Sequence, residues 1–277
     1  MKAIIIAAGM GCRCEHLTND KPKCMLEYND RTLLEIQTST LKASGIKDIV
    51  IVKGYKQEKI DYPEFKYYIN DNYENNNILN SLFYAEEEMD DDLLISYSDI
   101  YYEKHVVDRL LQSKHDISIV VDIDWKGYYE GRTHHPIEQA ENVVFDADNN
   151  VVELGKIMTN KNDVHGEFIG MLKCSKKGAQ ILKKHFNRAK QLFWGKPFKR
   201  AATFEKAYLT DMLQDMVEMG VKINCVIIEQ GWMEVDTVQD FKKVSKILAE
   251  KAGGFIDQTG IVEIAYEEPR KRTLERS

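Results

Sequence analysis

The first residues able to do chemistry close an apolar run: Ala7-Ala8-Gly9-Met10-Gly11-Cys12-Arg13, followed by Asp20-Lys21-Pro22-Lys23. Gly9 and Gly11 let backbone N–H groups approach a phosphate that a side chain would hold off. Arg13 and Lys23 would set positive charge beside a polyphosphate. A glycine pair alone is equally a tight turn at a strand end, so the two cations carry the distinction. Two other phosphate loops fail on spacing. A dinucleotide loop needs a third glycine opening a helix at once, with an acidic residue about 20 positions on. Here Cys12, Arg13 and Cys14 follow Gly11, and helix signals wait until Thr32. An NTPase loop needs Gly-Lys-Ser/Thr at its end, which is absent.

Two aspartates form a second constellation. Leu93-Leu-Ile-Ser-Tyr-Ser-Asp99 is an apolar strand ending in a carboxylate, and Trp232-Met-Glu-Val-Asp236 is another. Ligands of open α/β sheets gather at such carboxyl ends. Each aspartate also has a structural alternative: Asp99 as a turn or helix cap, and Asp236 or Thr237 as the cap before Val238. Two such carboxylates suit Mg²⁺, which takes few protein oxygens and fills its shell from phosphates and water. Sequence alone does not bring them together.

These groups need elements to hold them. Ala3–Ala8 reads as a buried strand, Leu33–Ser44 as a helix closed by Gly45, and Ile49–Val52 as a second buried strand. The order repeats through Leu93–Ser96 and Ile117–Val121, giving an α/β fold with a mostly parallel sheet. The middle of the chain changes character. Asn142–Phe145 and Val151–Leu154 flank the turn signal Asp146–Asn150 and read as a hairpin. Phe168–Lys173 and Lys222–Ile228 read as strands, and Lys176–Ala189, Glu205–Glu218 and Val238–Lys251 as helices. A further helix is expected to start near Leu82.

Composition sets the bounds. A chain of 277 residues with 43% hydrophobic content can bury a substantial core. A net charge of −7 argues against nucleic acid as the main partner, while a small anion needs only a local basic cluster. The five cysteines show no framework or zinc spacing, which fits a reducing cytoplasm. No apolar run reaches membrane-spanning length, so no membrane insertion is expected.

Ala-Ala-Gly-x-Gly-x-Arg followed by Lys-Pro-Lys resembles the signature of the nucleotidyltransferase superfamily that activates sugar phosphates and phosphoalcohols. The match covers Lys2–Lys23, and Pro22-Lys23-Cys24-Met25 looks most like the phosphocholine and phosphonate cytidylyltransferase branch. The resemblance implies a Rossmann-like mixed sheet of GT-A-like type with a small β-rich acceptor-binding insertion. It implies one domain over residues 1–252: a nucleotide part (about 1–121), an acceptor part (about 122–235) and a closing helix (about 238–251). The tail, residues 253–277, is expected to pack across a homodimer or to be partly disordered.

The implied reaction is Mg²⁺-dependent transfer of CMP from CTP to a small phosphonate or phosphoalcohol, of 2-aminoethylphosphonate or phosphocholine type, with release of pyrophosphate. Ala7, Ala8, Gly9 and Gly11 would lie under the nucleotide. Arg13 would grip the β- and γ-phosphates, Lys23 would neutralise the reacting α-phosphate, and Asp99 and Asp236 would hold the ion. The polar stretch Asn70–Ser81, otherwise a solvated capping loop, corresponds to the pyrimidine-reading segment, with Asn77 and Ser81 as candidates. Lys156 resembles the lysine that contacts the acceptor's phosphate, and Glu167 lies on the strand beside it. Asp122, Asp124, Trp125, Tyr128 and Tyr129 mix negative charge with aromatic faces, which suits an ammonium group and equally an exposed strand edge. His134 and His135 read as loop residues. Three rivals stand beside this reading. A sugar-1-phosphate nucleotidyltransferase using UTP, GTP or dTTP would share every catalytic residue named. A glycosyltransferase would use Asp122-Ile-Asp124 but has no place for Arg13 and Lys23. A catalytically silent nucleotide sensor should have lost the charged residues this chain keeps.

Overall fold

The computed structural model describes residues 1–251 and, beyond them, only the strand pair Phe255–Ile256 and Val262–Glu263. The expectations for the tail otherwise lie outside the described residues. The first half runs β1 (Lys2–Ala7), β2 (Glu27–Tyr28), β3 (Arg31–Thr32), α1 (Leu33–Ala43), β4 (Asp48–Lys53), β5 (Lys66–Ile69), α2 (Ile78–Leu82), β6 (Leu93–Tyr97), β7 (Ile100–Tyr102), α3 (Lys104–Gln112) and β8 (Ile117–Asp122). Then follow β9 (Asn142–Phe145), β10 (Val151–Gly155), β11 (Gly166–Cys174), α4 (Lys176–Phe193), α5 (Leu209–Glu218), β12 (Asn224–Ile228), β13 (Trp232–Glu234), α6 (Val238–Lys251), β14 (Phe255–Ile256) and β15 (Val262–Glu263).

The main sheet is mixed, in the order β10-β9-β11-β6-β1-β4-β5, with β8 beside β11 and β12 beside β8. Strand β1 pairs parallel with β4 and β6, and β4 with β5. Strand β11 runs antiparallel to β6, β8 and β9, and β9–β10 is the expected hairpin. The unbroken apolar run of β1 is explained by burial on both faces. Ile4 and Ile6 pack into one core layer, and Ala3, Ile5 and Ala7 into the other.

Two helix starts differ from the sequence reading, each for a capping reason. Helix α2 begins at Ile78 because Asn77 Oδ1 accepts from Ile78 N at 2.8 Å. Helix α5 begins at Leu209 rather than Glu205. Asp211 reaches back to Tyr208 N at 2.8 Å, and residues 204–206 form a separate single turn.

One strand feature shapes the site directly. Register slips between Phe168 and Leu172 where β11 meets β8, and Gly170 has φ 81°. A Cβ there would stand 2.5 Å from the Tyr97 ring, so only glycine lets that ring lie flat against the strand. Gly170→Ala is expected to cost about 1–3 kcal/mol through overpacking and left-handed strain, read as a Tm lowered by several degrees. A variant that melts with the wild type would count against this contact.

Candidate active site

The carboxyl ends of β1 and β6, the end of β13 and the start of β11 surround a cavity of about 300 Å³. Ala7, Ala8, Gly9, Gly11, Arg13, Lys23, Asn77, Ser81, Asp99, Lys156, Glu167 and Asp236 all line it. The structure therefore gathers twelve of the residues singled out from sequence. The ladder β7–β13 explains how the two aspartates meet. It pairs Glu234 with Ile100 and continues through Val235 N donating to Asp99 O at 2.7 Å, which carries Asp236 alongside Asp99.

Lys23 sits between them. Its Nζ is 3.1 Å from Asp99 Oδ2 and is also paired with Asp236 Oδ1. The loop folds over its stem: Gly11 has φ 64°, and a Cβ on it would fall 2.6 Å from Lys23 Cγ. Burial works against the ammonium, but Asp99 and Asp236 outweigh it and keep Lys23 charged. Burial likewise opposes the Asp236 charge. Lys23, His135 and Arg13 more than offset that and hold the carboxyl well below the usual carboxylate range.

Asp236 is free for this role because the helix cap is its neighbour. Thr237 Oγ1 accepts from Asp240 N at 3.2 Å, and Asp240 Oδ2 accepts from Thr237 N at 3.0 Å and from Asp236 N at 3.2 Å. Asp240 is itself gripped by Arg132, whose Nε lies 2.8 Å from Oδ1 and Nη2 3.0 Å from Oδ2.

In the Asn70–Ser81 part of the lining, the side chains of Asn77 and Ser81 are already bonded. Asn77 Nδ2 donates to Lys206 O at 3.2 Å, and Ser81 Oγ accepts from Asn70 Nδ2 at 2.8 Å. Asn70 is fully buried and exchanges hydrogen bonds with Asn76 at 2.8 and 3.0 Å. Asparagines therefore build this wall, and Asn77 caps α2 within it.

Elsewhere on the lining, Lys156 Nζ contacts only the neutral Gln139 Oε1, at 3.2 Å, and the Tyr208 face, 5.6 Å from the centroid, among the described residues. No carboxylate pairs with it among the described residues. Glu141 Oε1 accepts from Arg200 at 3.1 Å and from Thr210 at 3.0 Å, and its Oε2 lies 3.5 Å from the Tyr97 hydroxyl.

Three acceptor-site expectations need correction: Asp122, Trp125 and Tyr129 do not line the cavity. Asp122 is spent on Trp232 Nε1 (2.8 Å), Asp124 N (2.9 Å) and Gln230 N (3.1 Å). Trp125 and Tyr129 pack with Ala140 in a small buried cluster, because the chain after β8 turns inward instead of forming an exposed edge. Asp124 contacts Gln230, and Tyr128 donates to Glu234 O at 2.6 Å. The group therefore touches the cavity only from behind its wall, Asp122 through Trp232, Tyr128 through Glu234 and Tyr129 through a short hydrogen bond to Glu167.

The chain matches the model of the MobA-like NTP transferase domain over residues 3–149. It is 30% identical to CTP:phosphoglutamine cytidylyltransferase of Campylobacter jejuni, over 87% of this chain and 98% of that one. It is 27% identical to choline-phosphate cytidylyltransferase of Streptococcus pneumoniae, over 90% and 98%. The chain is a nucleotidyltransferase of the cytidylyltransferase branch. The fold agrees: a solved CTP:phosphocholine cytidylyltransferase from S. pneumoniae superposes with a TM-score of 0.67 at 24% identity, covering 89% of this chain and 98% of that one.

For a nucleotidyltransferase, the oxygen donors present fit a hard divalent ion. Asp236 Oδ2 is buried, and no N–H is directed at it along a hydrogen-bonding line, although Arg13 and His135 (Nδ1 at 2.7 Å) lie close. With Asp99 facing it across the Lys23 ammonium, this pair supplies the carboxylate oxygens that Mg²⁺ uses, held here by Lys23, Arg13 and His135. His135 and Glu234 bring further donor atoms, all within 4.8 Å of one another and of Asp236.

Sequence reading missed His135, Arg132 and Glu234 in this nucleotidyltransferase. His135 does stand in a loop, as expected, but its ring is buried against Asp236. Burial lowers its pKa, and the order Arg132…His135 carries no motif spacing that would have marked it.

Proposed function

We propose that the protein is a Mg²⁺-dependent cytidylyltransferase, transferring CMP from CTP to a small phosphate- or phosphonate-bearing acceptor and releasing pyrophosphate. The observation that carries this is the Lys23 ammonium, shared by Asp99 and Asp236 beneath the Gly9–Gly11 loop, with an unneutralised Lys156 at the cavity's far end. Residues 1–121 supply the nucleotide side, residues 122–235 the acceptor side, and helix α6 closes a single unit over 1–252.

In this reading Arg13 binds the β- and γ-phosphates and the wall built from Asn70–Ser81 meets the pyrimidine. Lys156 holds the acceptor's phosphate. An acceptor oxygen forms the new bond to the α-phosphorus in line as the bond to the β-phosphate bridging oxygen breaks, and pyrophosphate carries that electron pair away. Lys23 stabilises the charge that grows on the α-phosphate. A Mg²⁺ held by Asp99 and Asp236 would supply Lewis-acid neutralisation of the phosphates.

Pyrophosphate release, screened across CTP, UTP, GTP and ATP with phosphoethanolamine, phosphocholine, 2-aminoethylphosphonate and glucose 1-phosphate, is the direct test. The expected result is turnover with CTP and an alkyl phosphate or phosphonate. Turnover only with UTP, GTP or a hexose 1-phosphate would transfer the assignment to the sugar-activating branch.

A further inference from the structure

A buried carboxylate at the acceptor end has half its hydrogen-bonding capacity unused. Glu167 begins β11, lines the cavity and is 4% exposed. Tyr129 donates to its Oε1, whereas Oε2 has no partner. Leaving a buried acceptor unsatisfied is costly, and such a group at a cavity wall is completed by water or by a donor on a ligand that displaces it.

The neighbouring groups decide what that is. Glu141 is already ion-paired with Arg200 and has a hydroxyl near each oxygen, Thr210 at Oε1 and Tyr97 at Oε2, and Asp122 is taken up by Trp232 and two backbone amides, which leaves Glu167 as the cavity carboxylate with a wholly unpartnered oxygen. Lys156, on the same wall, is free to take an anion. A ligand with a phosphate at one end and an N–H at the other fits this pair of charges.

We propose that Glu167 Oε2 accepts an N–H from the acceptor, so the preferred acceptor carries a primary ammonium rather than a quaternary one. The distinction is chemical. A trimethylammonium has charge but no N–H, so it can lie near Glu167 without satisfying Oε2. The proposal rests on the acceptor side of the cytidylyltransferase reading, and it replaces the aromatic ammonium pocket expected around Asp122 and Trp125.

A pH dependence follows. Burial pushes the Glu167 carboxyl up to about 8. Tyr129 and Arg132 pull it down, while Glu141, Asp122 and the nearby Glu234 push the same way as burial. An ammonium pairs with the ionised form, so affinity for an amine-bearing acceptor should rise with pH and level off above about 8.

The test is calorimetric binding of phosphoethanolamine, phosphocholine and ethyl phosphate to the full chain, with a non-hydrolysable CTP analogue and Mg²⁺ present. Wild type should bind phosphoethanolamine about ten- to a hundredfold more tightly than the other two. Glu167→Gln, which keeps the side-chain volume and an acceptor for Tyr129, should erase that gap and its pH dependence while leaving affinity for ethyl phosphate and the CTP analogue unchanged. Equal binding of the three ligands, a preference for phosphocholine, no binding of any of them, or a gap that survives in Glu167→Gln would each overturn the proposal. These readouts do not use turnover. Loss of CMP transfer would therefore sink the cytidylyltransferase reading separately.

Discussion

Lys23→Ala should lower kcat by about 100- to 1,000-fold and change the KM for CTP little. Removing one preorganised donor aimed at developing charge typically has this effect. The geometry makes Lys23 such a donor. Its side chain is 11% exposed, its stem is overlaid by the Gly11 turn, and its Nζ is fixed by Asp99 and Asp236 before any phosphate arrives. Preorganisation of this kind supports the transition state more than the bound nucleotide, whose outer phosphates the proposed function gives to Arg13. Lys23→Arg should not restore the rate, because a planar fork cannot take the place of a compact ammonium between two carboxylates. Single-turnover and steady-state kinetics decide the matter. Near-normal kcat with a raised KM would reduce Lys23 to ground-state binding.

The nucleotide half was readable because its signals are local. A strand, a glycine pair and two cations lie within Lys2–Lys23, and their chemistry survives without knowledge of the fold. Asp99 and Asp236 were readable as strand ends, although only the β7–β13 ladder, through Val235 N and Asp99 O, shows why they meet. The acceptor half was less readable, since its residues are chosen by burial. Asp122 and Trp125 look like a ligand-binding pair in sequence, yet one is spent on Trp232 and the other on core packing. Glu167 was placed through resemblance, but its unpaired oxygen depends on Tyr129 approaching from a turn 38 residues earlier in the chain. No periodicity records a contact of that kind.

The two ends of the cavity are also tied to each other. Asn77 N donates to Glu205 O at 3.0 Å and Asn80 Nδ2 to Phe204 O at 2.9 Å, joining the base-side wall to the segment that leads into Tyr208. Tyr208 in turn stacks under Arg200, whose Cζ is 4.0 Å from the ring centroid. Asn77 and Asn80 therefore brace the Asn70–Ser81 wall against residues 204–206.

Asp236→Asn should be the most damaging substitution of the metal pair, in stability and in rate together. Asp236 is 1% exposed and faces Lys23, Arg13 and His135, so removing its charge leaves the Lys23 and Arg13 cations packed around a neutral amide. Breaking a buried ion pair from one side costs on the order of 3 kcal/mol. The sign with pH follows from the direction of the shift. The folded pKa lies below the unfolded one, so this stabilisation is complete above the unfolded carboxylate range. It declines progressively as pH falls below the unfolded carboxylate range and is gone once pH has passed through the folded value. The wild-type advantage should then be full at pH 7 and shrink only in strong acid. Activity should fall by at least about 100-fold, because an oxygen ligand and the partner that fixes Lys23 go together. Two readouts separate these roles: denaturant melts across pH, and a Mg²⁺ titration of turnover. A purely structural Asp236 would lower stability yet leave the Mg²⁺ concentration for half-maximal rate where it was. A metal-holding Asp236 should raise it by an order of magnitude or more, and excess Mg²⁺ should recover part of the rate. Wild-type turnover at the wild-type Mg²⁺ requirement would remove Asp236 from the metal site.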